Sequence, residues 1–581
     1  MQQGFGVCYR GRMTALYYGG NVSMDLTTAL TGMLPFIVLV SAVLTAIVSV
    51  LLLWLYKRAV VRSMSASSGA PPPVSRVNSP VVPSKSPGLT ITTIGAGDPV
   101  AGVGHAAYQA TSASLRRLGI VYMVAGLAYA FVLSLPWMVT AGGGFPLTRL
   151  LWLVVCYAWP TVVTLLLVVT TTRRQGYIVA GIYFGLVVAV SSIVLMRNPA
   201  AGAGDLIYLW IFANGAGTVL LATFLTRRIR AVGPLVLAFM IAGVTGASLL
   251  VTLAGSNDTL LRAIVEAGGA FGLGAIALFI LLHLLGFALF GLLGWWLLGW
   301  LGRAYRTKRM SDQSLTVDAL WLLFGVLQSI TLAFEGWAWI FTGLVAFGVY
   351  KVITLLGFAH ITASGGAESV APPSLLLLRV FALGSRSERL FDGLEKRWLR
   401  AGSIGMIAGP DLVTSTVEPH EFLDFVGGRL SRRFIESEVD MSQRLERRDV
   451  YPDPDGRYRV NEFFCRQDTW QMTMRRLAAD SDVVLMDLRS FSPRNQGCLW
   501  ELQQLLNGTP LERVLFVVDE TTDQAFLEDQ LQALWGRVSA DSPNRGYQSP
   551  VVRLFWTPSS MSPAADSLVK RLFDVCIPAT V

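Results

Sequence analysis

Long uncharged apolar runs fill the first 360 residues of the chain, whereas the remaining third alternates short apolar runs with charged segments. A helix needs about 20 apolar residues to cross roughly 30 Å of hydrocarbon. By that measure the pattern predicts nine membrane-spanning helices, so a polytopic α-helical membrane domain precedes a globular C-terminal domain. The predicted spans lie near residues 34–55, 119–140, 149–171, 176–196, 205–225, 232–254, 265–302, 317–334 and 337–358.

The seventh run, residues 265–302, is long enough for one helix of about 57 Å or for two short spans. Clusters of Lys and Arg favour a single crossing, because cytoplasmic loops carry an excess of these residues and only then do the clusters fall in every second loop. We therefore predict a multi-pass inner (plasma) membrane protein with its N-terminus outside and its C-terminal domain in the cytoplasm. The clusters are Lys57, Arg58 and Arg62; Arg116 and Arg117; Arg173 and Arg174; Arg227, Arg228 and Arg230; and Arg303, Arg306, Lys308 and Arg309.

The spans divide the chain into six predicted segments. No cleavable signal peptide is evident in the leader, within which Met24 is an alternative start to Met1. The segment between the first and second predicted spans is rich in Pro and Ser, a composition that cannot bury a core and predicts disorder. The segments are an extracytoplasmic leader (1–33), a first transmembrane helix (34–56), a disordered cytoplasmic linker (57–118), eight further transmembrane helices (119–360), a linker (361–373) and a cytoplasmic α/β domain (374–581).

The composition also predicts that the lipid bilayer is a partner of this chain. Of its residues, 53% are hydrophobic and 15% are charged, and the mean hydropathy is +0.53. The net charge of +9 is explained by the basic loops, so nucleic-acid binding is not indicated. The five cysteines show no metal-ligand spacing. We therefore predict neither a disulfide nor a metal site.

Few polar residues occur within the spans. Asp318 is placed at a span end and Lys351 near the cytoplasmic end, from which its side chain can reach water. His283 and Asn214 are deep, and such residues usually bond neighbouring helices or line a path for a solute. A transporter would show an aqueous path lined by His283, Asn214 or Lys351. The pattern favours a multi-helix sensor or anchor.

The C-terminal third has the pattern of an α/β domain. Five short apolar runs, "LLLLRVFAL", "SIGMIAG", "DVVLMDL", "RVLFVVD" and "VVRLFW", alternate with amphipathic helices. This alternation predicts a five-stranded parallel sheet covered on both faces, as in flavodoxin-like folds. Ligands bind such sheets beyond the carboxyl ends of the strands, which places residues 384–388, 409–418 and 489–501 along one edge.

The strand "SDVVLMDL", the loop "SFSPRN" and the helix start "GCLWEL" resemble the Toll/interleukin-1 receptor (TIR) domain family. Cys498, Glu501 and Leu502 match the family's helix-start pattern, whereas Gly497 stands where a tryptophan is usual. The resemblance covers residues 374–578. Nucleoside deoxyribosyltransferase-like families are an alternative, because they share the sheet and a catalytic glutamate at a similar place.

The resemblance implies cleavage of the bond between nicotinamide and ribose in NAD, with NAD as substrate, no cofactor, and self-association through the TIR-like domain. Glu501 would be the catalytic residue, and Ser385, Arg386 and Arg489 would bind the substrate. The position of Glu501 near a helix start predicts a lowered pKa. The alternative is a helix-start glutamate that accepts backbone hydrogen bonds, with Arg386 and Arg489 as solvated surface charges.

Three functions remain open on the sequence alone. The first is a membrane-anchored TIR-like enzyme that hydrolyses NAD or a related nucleotide in signalling or defence. The second is a non-enzymatic TIR-like binding or assembly module coupled to a membrane sensor. The third is a transporter regulated by its cytoplasmic domain.

Overall fold

A computed structural model shows two compact units, one drawn from Met1–Leu52 and Gly119–Ala359 and the other from Leu53–Leu118 and His360–Val581. Three helices, Leu26–Ser65, Gly102–Thr140 and Thr342–Ser364, begin in one unit and end in the other. The structure describes residues 26–65, 88–100, 102–140, 146–198, 202–224, 232–255, 257–333, 337–364, 372–379, 385–409, 417–558 and 564–576.

The first unit is helical. Nine helices in the described part of the chain are long and apolar enough to cross a membrane, and each overlaps one of the nine predicted spans. The chain therefore has the helices of a membrane protein. Eleven α-helices correspond to these nine candidate spans, because α3 and α4 together form one span and α8 is too short to be one. They are α1 (Leu26–Ser65), α2 (Gly102–Thr140), α3 (Leu147–Tyr157), α4 (Trp159–Val168), α5 (Arg173–Arg197), α6 (Ala203–Phe224), α7 (Gly233–Gly255), α8 (Asp258–Ala270), α9 (Ala275–Arg306), α10 (Asp312–Ala333) and α11 (Thr342–Ser364), with a 3-10 turn at Trp337–Phe341.

The seventh apolar run is not one continuous helix. It is divided between the short α8 and the 32-residue α9, and Gly272 in the intervening turn has a φ of +70°, which favours glycine. One helix of this run, α9, meets the length and hydropathy needed to cross a membrane. This agrees with a single crossing, while the surplus residues form a separate helix.

Pairs of glycines bring helices of the first unit into backbone contact. A Cβ on Gly246 of α7 would clash with the carbonyl of Gly286 on α9, and a Cβ on Gly343 of α11 would clash with the carbonyl of Gly325 on α10. Such close approach of small residues is a common mode of helix packing in membranes.

The second unit is an α/β fold. After β1 (Thr90–Ile94), strands and helices follow the first unit in the order β2 (Ser374–Arg379), α12 (Ser385–Trp398), β3 (Ser403–Ile407), α13 (Pro419–Val426), β4 (Phe434–Ile435), α14 (Glu438–Glu446), β5 (Val460–Cys465), α15 (Trp470–Asp480), β6 (Val483–Asp487), α16 (Gln496–Gly508), β7 (Val514–Val518), α17 (Gln524–Trp535), β8 (Val551–Trp556) and α18 (Ala564–Cys576), with 3-10 turns at Leu430–Arg433 and Leu511–Arg513.

The sheet has eight strands in the order β1-β8-β7-β6-β2-β3-β5-β4, and every pair is parallel. The prediction of five strands is therefore wrong in number, although the five predicted runs form β2, β3, β6, β7 and β8. The missed strands lie at or near the two edges. The direction of strand order reverses at β2, which has β3 on one side and β6 on the other.

The missed strands have weak local signals. β4 has two residues, and β5 was missed because "VNEFFC" runs directly into the helical pattern of α15. Short apolar runs of this kind do not separate strand from helix by periodicity. β1, "TITTI", is mostly exposed at the sheet edge and lies within the Pro- and Ser-rich segment.

Two described parts of the segment 57–118 are ordered, which differs from its predicted disorder, whereas residues 66–87 lie outside the described residues. Helix α1 continues to Ser65, and β1 pairs along its length with Val551–Phe555 of β8. Leu89 is buried in the core, and the Gly104 amide donates a 2.8 Å hydrogen bond to Oδ1 of Asp574 in the last helix. Residues 88–118, apart from position 101, which the structure does not describe, therefore form part of the α/β unit.

Alternate residues of the central strands enter separate cores on the two faces of the sheet. Leu376 and Leu378 of β2 pack with α14, α15, α16 and α17. Leu375 and Leu377 pack with α12 and α18. The two-residue period of a strand therefore explains why β2 is apolar at four consecutive positions. Covering both faces leaves the carboxyl edge of the strands available for polar groups.

Candidate functional site

Charged side chains converge at the carboxyl ends of β2 and β6, where the strand order reverses. Arg379 ends β2 and Asp487 ends β6, and the two residues are direct neighbours in the strand register. Both are almost completely buried. This arrangement places opposite charges at the edge where open parallel sheets bind ligands.

Arg489 lies two residues beyond β6 and is 3% exposed. Its Nε donates to Oδ1 of Asp487 over 2.7 Å, and its second guanidinium nitrogen donates to Oδ2 over 2.6 Å. Burial alone would lower the pKa of Arg489, but these bonds to Asp487 raise it. Arg489 is therefore a buried, paired cation, which corrects the alternative of a solvated surface charge.

Hydrogen bonds hold the loop after β6. Ser490, at a φ of 60°, donates its amide to Oγ1 of Thr521 over 3.0 Å, and Thr522 donates to the carbonyl of Leu488 over 3.1 Å. The Ser492 amide donates to Oδ1 of Asn495 over 2.9 Å, immediately before α16 begins. The loop from β6 to α16 is thus fixed to the loop after β7.

Helix α16 directs Cys498 and Glu501 inward, since residues three apart share a helix face. Trp500 points elsewhere, with its ring 5.0 Å from that of Trp470. Gly497 has open space around it, so a larger side chain fits there without a clash. Burial first, and then the negative charges of Glu501 and Asp487, raise the pKa of the Cys498 thiol well above its usual value. Cys498 is therefore a protonated neighbour of Glu501.

The Glu501 carboxyl is 4% exposed, and its Oε2 has no hydrogen-bond partner in the described part of the chain. Burial raises its pKa to about 8, while the positive charge of Arg379 acts in the opposite direction. The predicted lowering by the helix dipole is wrong, because Glu501 is the sixth residue of α16 and desolvation outweighs the dipole. The alternative of a carboxylate that accepts backbone amides also fails for this oxygen.

Ser385 and Arg386 are the first two residues of α12, and their side chains lie outside the described residues. The structure thus brings Glu501 together with Arg379, Asp487 and Cys498. Arg379 and Asp487 were missed because they end apolar runs. A lone charge that ends an apolar strand run is the signal that could have found them, because such a residue reaches the ligand edge of the sheet.

The polar residues singled out in the membrane helices have partners either on a neighbouring helix or on their own helix. Lys351 of α11 forms an ion pair with Asp318 of α10. The Asn214 side-chain amide donates to the carbonyl of Cys156 over 3.1 Å, and His283 lies 2.9 Å from the carbonyl of Phe279 on its own helix. Asp318 and Lys351 are therefore partners of each other, with side chains that are 13% and 26% exposed.

Comparison of the chain with protein-family models, with curated proteins and with solved structures finds no match. The chemistry of the site therefore has to be argued from its own residues.

Proposed function

We propose that the α/β unit is a TIR-like domain that hydrolyses the N-glycosidic bond of NAD or a related nucleotide, carried on a membrane-spanning region. The observation that carries the proposal is the buried Glu501 carboxyl, which lies where the strand order reverses and whose Oε2 has no hydrogen-bond partner among the described residues. Taking the five predicted strands alone, the order β3-β2-β6-β7-β8 is the 2-1-3-4-5 order of flavodoxin-like folds. Those folds bind their ligands at that reversal.

The proposed chemistry uses Oε2 of Glu501, which has no hydrogen-bond partner among the described residues. Cleavage of the bond between the ribose C1′ and the nicotinamide nitrogen leaves the electron pair on the nitrogen and builds positive charge on the ribose. A carboxylate fixed in a dry site stabilises that charge strongly, because the local dielectric is low. Water then adds to C1′ and loses a proton.

Protonation sets the working pH of this mechanism. The empty site holds Glu501 protonated below about pH 8. The pyridinium ring of NAD is cationic, so its binding favours the carboxylate and releases the proton. Since kcat/KM reports the free enzyme, it should rise with pH up to about 8.

The membrane region supplies attachment in this proposal. The basic clusters favour a cytoplasmic α/β unit with the N-terminus outside. The ion pair of Lys351 with Asp318 supports a structural role for these residues, and an anchor or sensor therefore agrees better with the helices than a transporter does.

The test is NAD turnover by the full chain in nanodiscs, with and without antibody-induced clustering. Glu501→Gln keeps the size of the side chain but removes the carboxylate, and we expect turnover to fall by about 100-fold or more. The control is Glu446→Gln, at an exposed helix position, which should leave turnover unchanged.

Equal turnover in Glu501→Gln and the parent would disprove the catalytic role. If neither protein consumes NAD or related nucleotides when clustered, the enzyme proposal fails. Saturable binding of NAD without turnover would instead support a binding module.

A further inference from the structure

A second group of ionisable residues lies at the start of α13, after β3. Glu418, His420 and Glu421 each offer a ligand atom, and these atoms lie within 4.8 Å of one another. Nδ1 of His420 is 3.1 Å from Oε2 of Glu418. Zinc is held about 2.0–2.2 Å from such nitrogen and oxygen atoms, so small side-chain rotations would bring all three onto one ion.

Several carboxylates lie close together at this group. Glu421 is 2% exposed, and its carboxyl interacts electrostatically with those of Glu418 and Glu462. Arg433 lies 3.4 Å from Oε1 of Glu421, but it also donates to Asp424 over 2.9 and 3.0 Å. Buried carboxylates that lie close together are unfavourable unless protons or cations join them.

Tyr56 provides an independent observation. Its side chain is 0% exposed, and its hydroxyl has no hydrogen-bond partner among the described residues. Its ring packs edge-on against Phe425, with the centroids 5.4 Å apart, and Phe425 is one helical turn beyond Glu421 on the same face of α13. The hydroxyl interacts electrostatically with Glu421 and Glu462. A buried hydroxyl without a partner among the described residues thus lies near the same cluster.

We propose that Glu418, His420 and Glu421 bind a divalent transition-metal ion of the Zn²⁺ class, with the Tyr56 hydroxyl facing the site. The mixed nitrogen and oxygen ligands decide the class, because imidazole suits zinc and related ions whereas magnesium and calcium prefer oxygen alone. A bound ion would offset the repulsion among these buried carboxylates. It would also join the end of α1 to α13 within the α/β unit.

The amide of Glu418 donates to Oε2 of Glu421 over 3.2 Å, so this carboxylate already has a fixed orientation. Oε1 faces Arg433. A metal would therefore bind Glu421 through one oxygen, while Arg433 keeps its bonds to Asp424. Arg433 contacts both Glu421 and Asp424, so it can keep Asp424 as its partner when a metal ion binds Glu421.

The experiment uses the full chain in detergent, stripped with a chelator and titrated with Zn²⁺, Mg²⁺ or Co²⁺. We expect one equivalent of Zn²⁺ by mass spectrometry, a rise in melting temperature with Zn²⁺ but not with Mg²⁺, and a Co²⁺ visible spectrum without thiolate charge-transfer bands. His420→Gln and Glu421→Gln should each weaken Zn²⁺ binding at least about 10-fold. His105→Gln and Glu446→Gln, both at exposed positions, are the matched controls.

Tyr56→Phe keeps the ring contact with Phe425 and serves if the ligand variants do not fold. This change should alter the Co²⁺ spectrum or weaken Zn²⁺ binding while the chain stays folded. Absence of stoichiometric Zn²⁺ and of the shift in melting temperature in the parent chain would overturn the proposal. Unchanged binding in folded His420→Gln and Glu421→Gln, or thiolate bands in the Co²⁺ spectrum, would overturn it equally.

Discussion

Burial keeps the Glu501 carboxyl protonated in the folded chain at pH values where an exposed glutamate is ionised. Its pKa is raised from 4.5 to about 8 because water is excluded and Oε2 has no hydrogen-bond partner among the described residues. A polar group held in this state gains more from a ligand than one already bonded to the protein. The proposed function relies on this state of Glu501.

This proton also makes stability depend on pH. Between about pH 4.5 and 8 the folded state holds a proton at Glu501 that the unfolded state releases, so the contribution to stability is complete below about pH 4.5 and is lost as the pH rises through about 8. Each pH unit in this range lowers the free energy of unfolding by up to about 1.4 kcal/mol. Glu501→Gln should gain stability relative to the parent chain as the pH rises from 5 to 8.

Thermal unfolding of both proteins in nanodiscs at pH 5, 6, 7, 8 and 9 measures the difference. Glu446→Gln, whose side chain is exposed, should follow the parent at every pH. Parallel curves for Glu501→Gln and the parent would show that the carboxyl is ionised in the folded state.

At the scale of single residues, sequence gives positions but not environments. The helix-start motif located Glu501, yet the sign of its pKa shift depends on burial by elements far apart in the chain. Arg379 was assigned to an apolar run because nothing local shows that it ends a strand beside Asp487. Ser385 and Arg386 stay predictions, since their side chains lie outside the described residues.

At the scale of elements, packing of the membrane helices α7 and α9 depends on the contact between Gly246 and Gly286. Gly246→Leu would force the two backbones apart, and overpacking of this kind costs about 1–3 kcal/mol or more. We expect a lower melting temperature for the full chain in detergent. Gly181→Leu is the control, because nothing lies within 4 Å of a Cβ at Gly181. Equal melting temperatures for the two variants would contradict the close contact.

Recognition of elements followed the strength of the local pattern. The nine apolar runs and the five buried strands were found because each is a continuous hydrophobic segment. The strands β1, β4 and β5 were missed because they are short, exposed or merged with a helical pattern. Gly181 and Gly185 have the spacing of a packing pair but face open space, so spacing alone does not identify a helix contact.

At the scale of the whole molecule, the α/β unit cannot be cut out as one continuous segment. A fragment of residues 365–581 lacks β1 and the first part of α2, which leaves the edge of β8 unpaired. Exposed edge strands promote aggregation. We expect this fragment to be less stable and more prone to aggregate than one with residues 88–118 fused to it through a long Gly/Ser linker.

Size-exclusion chromatography and thermal unfolding compare the two fragments. A fusion in which Thr90–Ile94 is replaced by Gly and Ser is the control, and it should behave like the shorter fragment. Similar stability for all three would show that β1 contributes little to the sheet. No local pattern predicts this pairing, because the partners are separated by most of the chain.

The pairing of β1 with β8 also determines when the sheet can be completed during synthesis. The first partner leaves the ribosome roughly 450 residues before the second. At about 5–20 residues per second, the interval between the synthesis of β1 and that of β8 is roughly twenty seconds to a minute and a half. During that interval the membrane helices between them are made, so the sheet is completed only after their synthesis. A nascent chain that stops before Val551 therefore keeps an open sheet edge, which is a template for pairing with another chain.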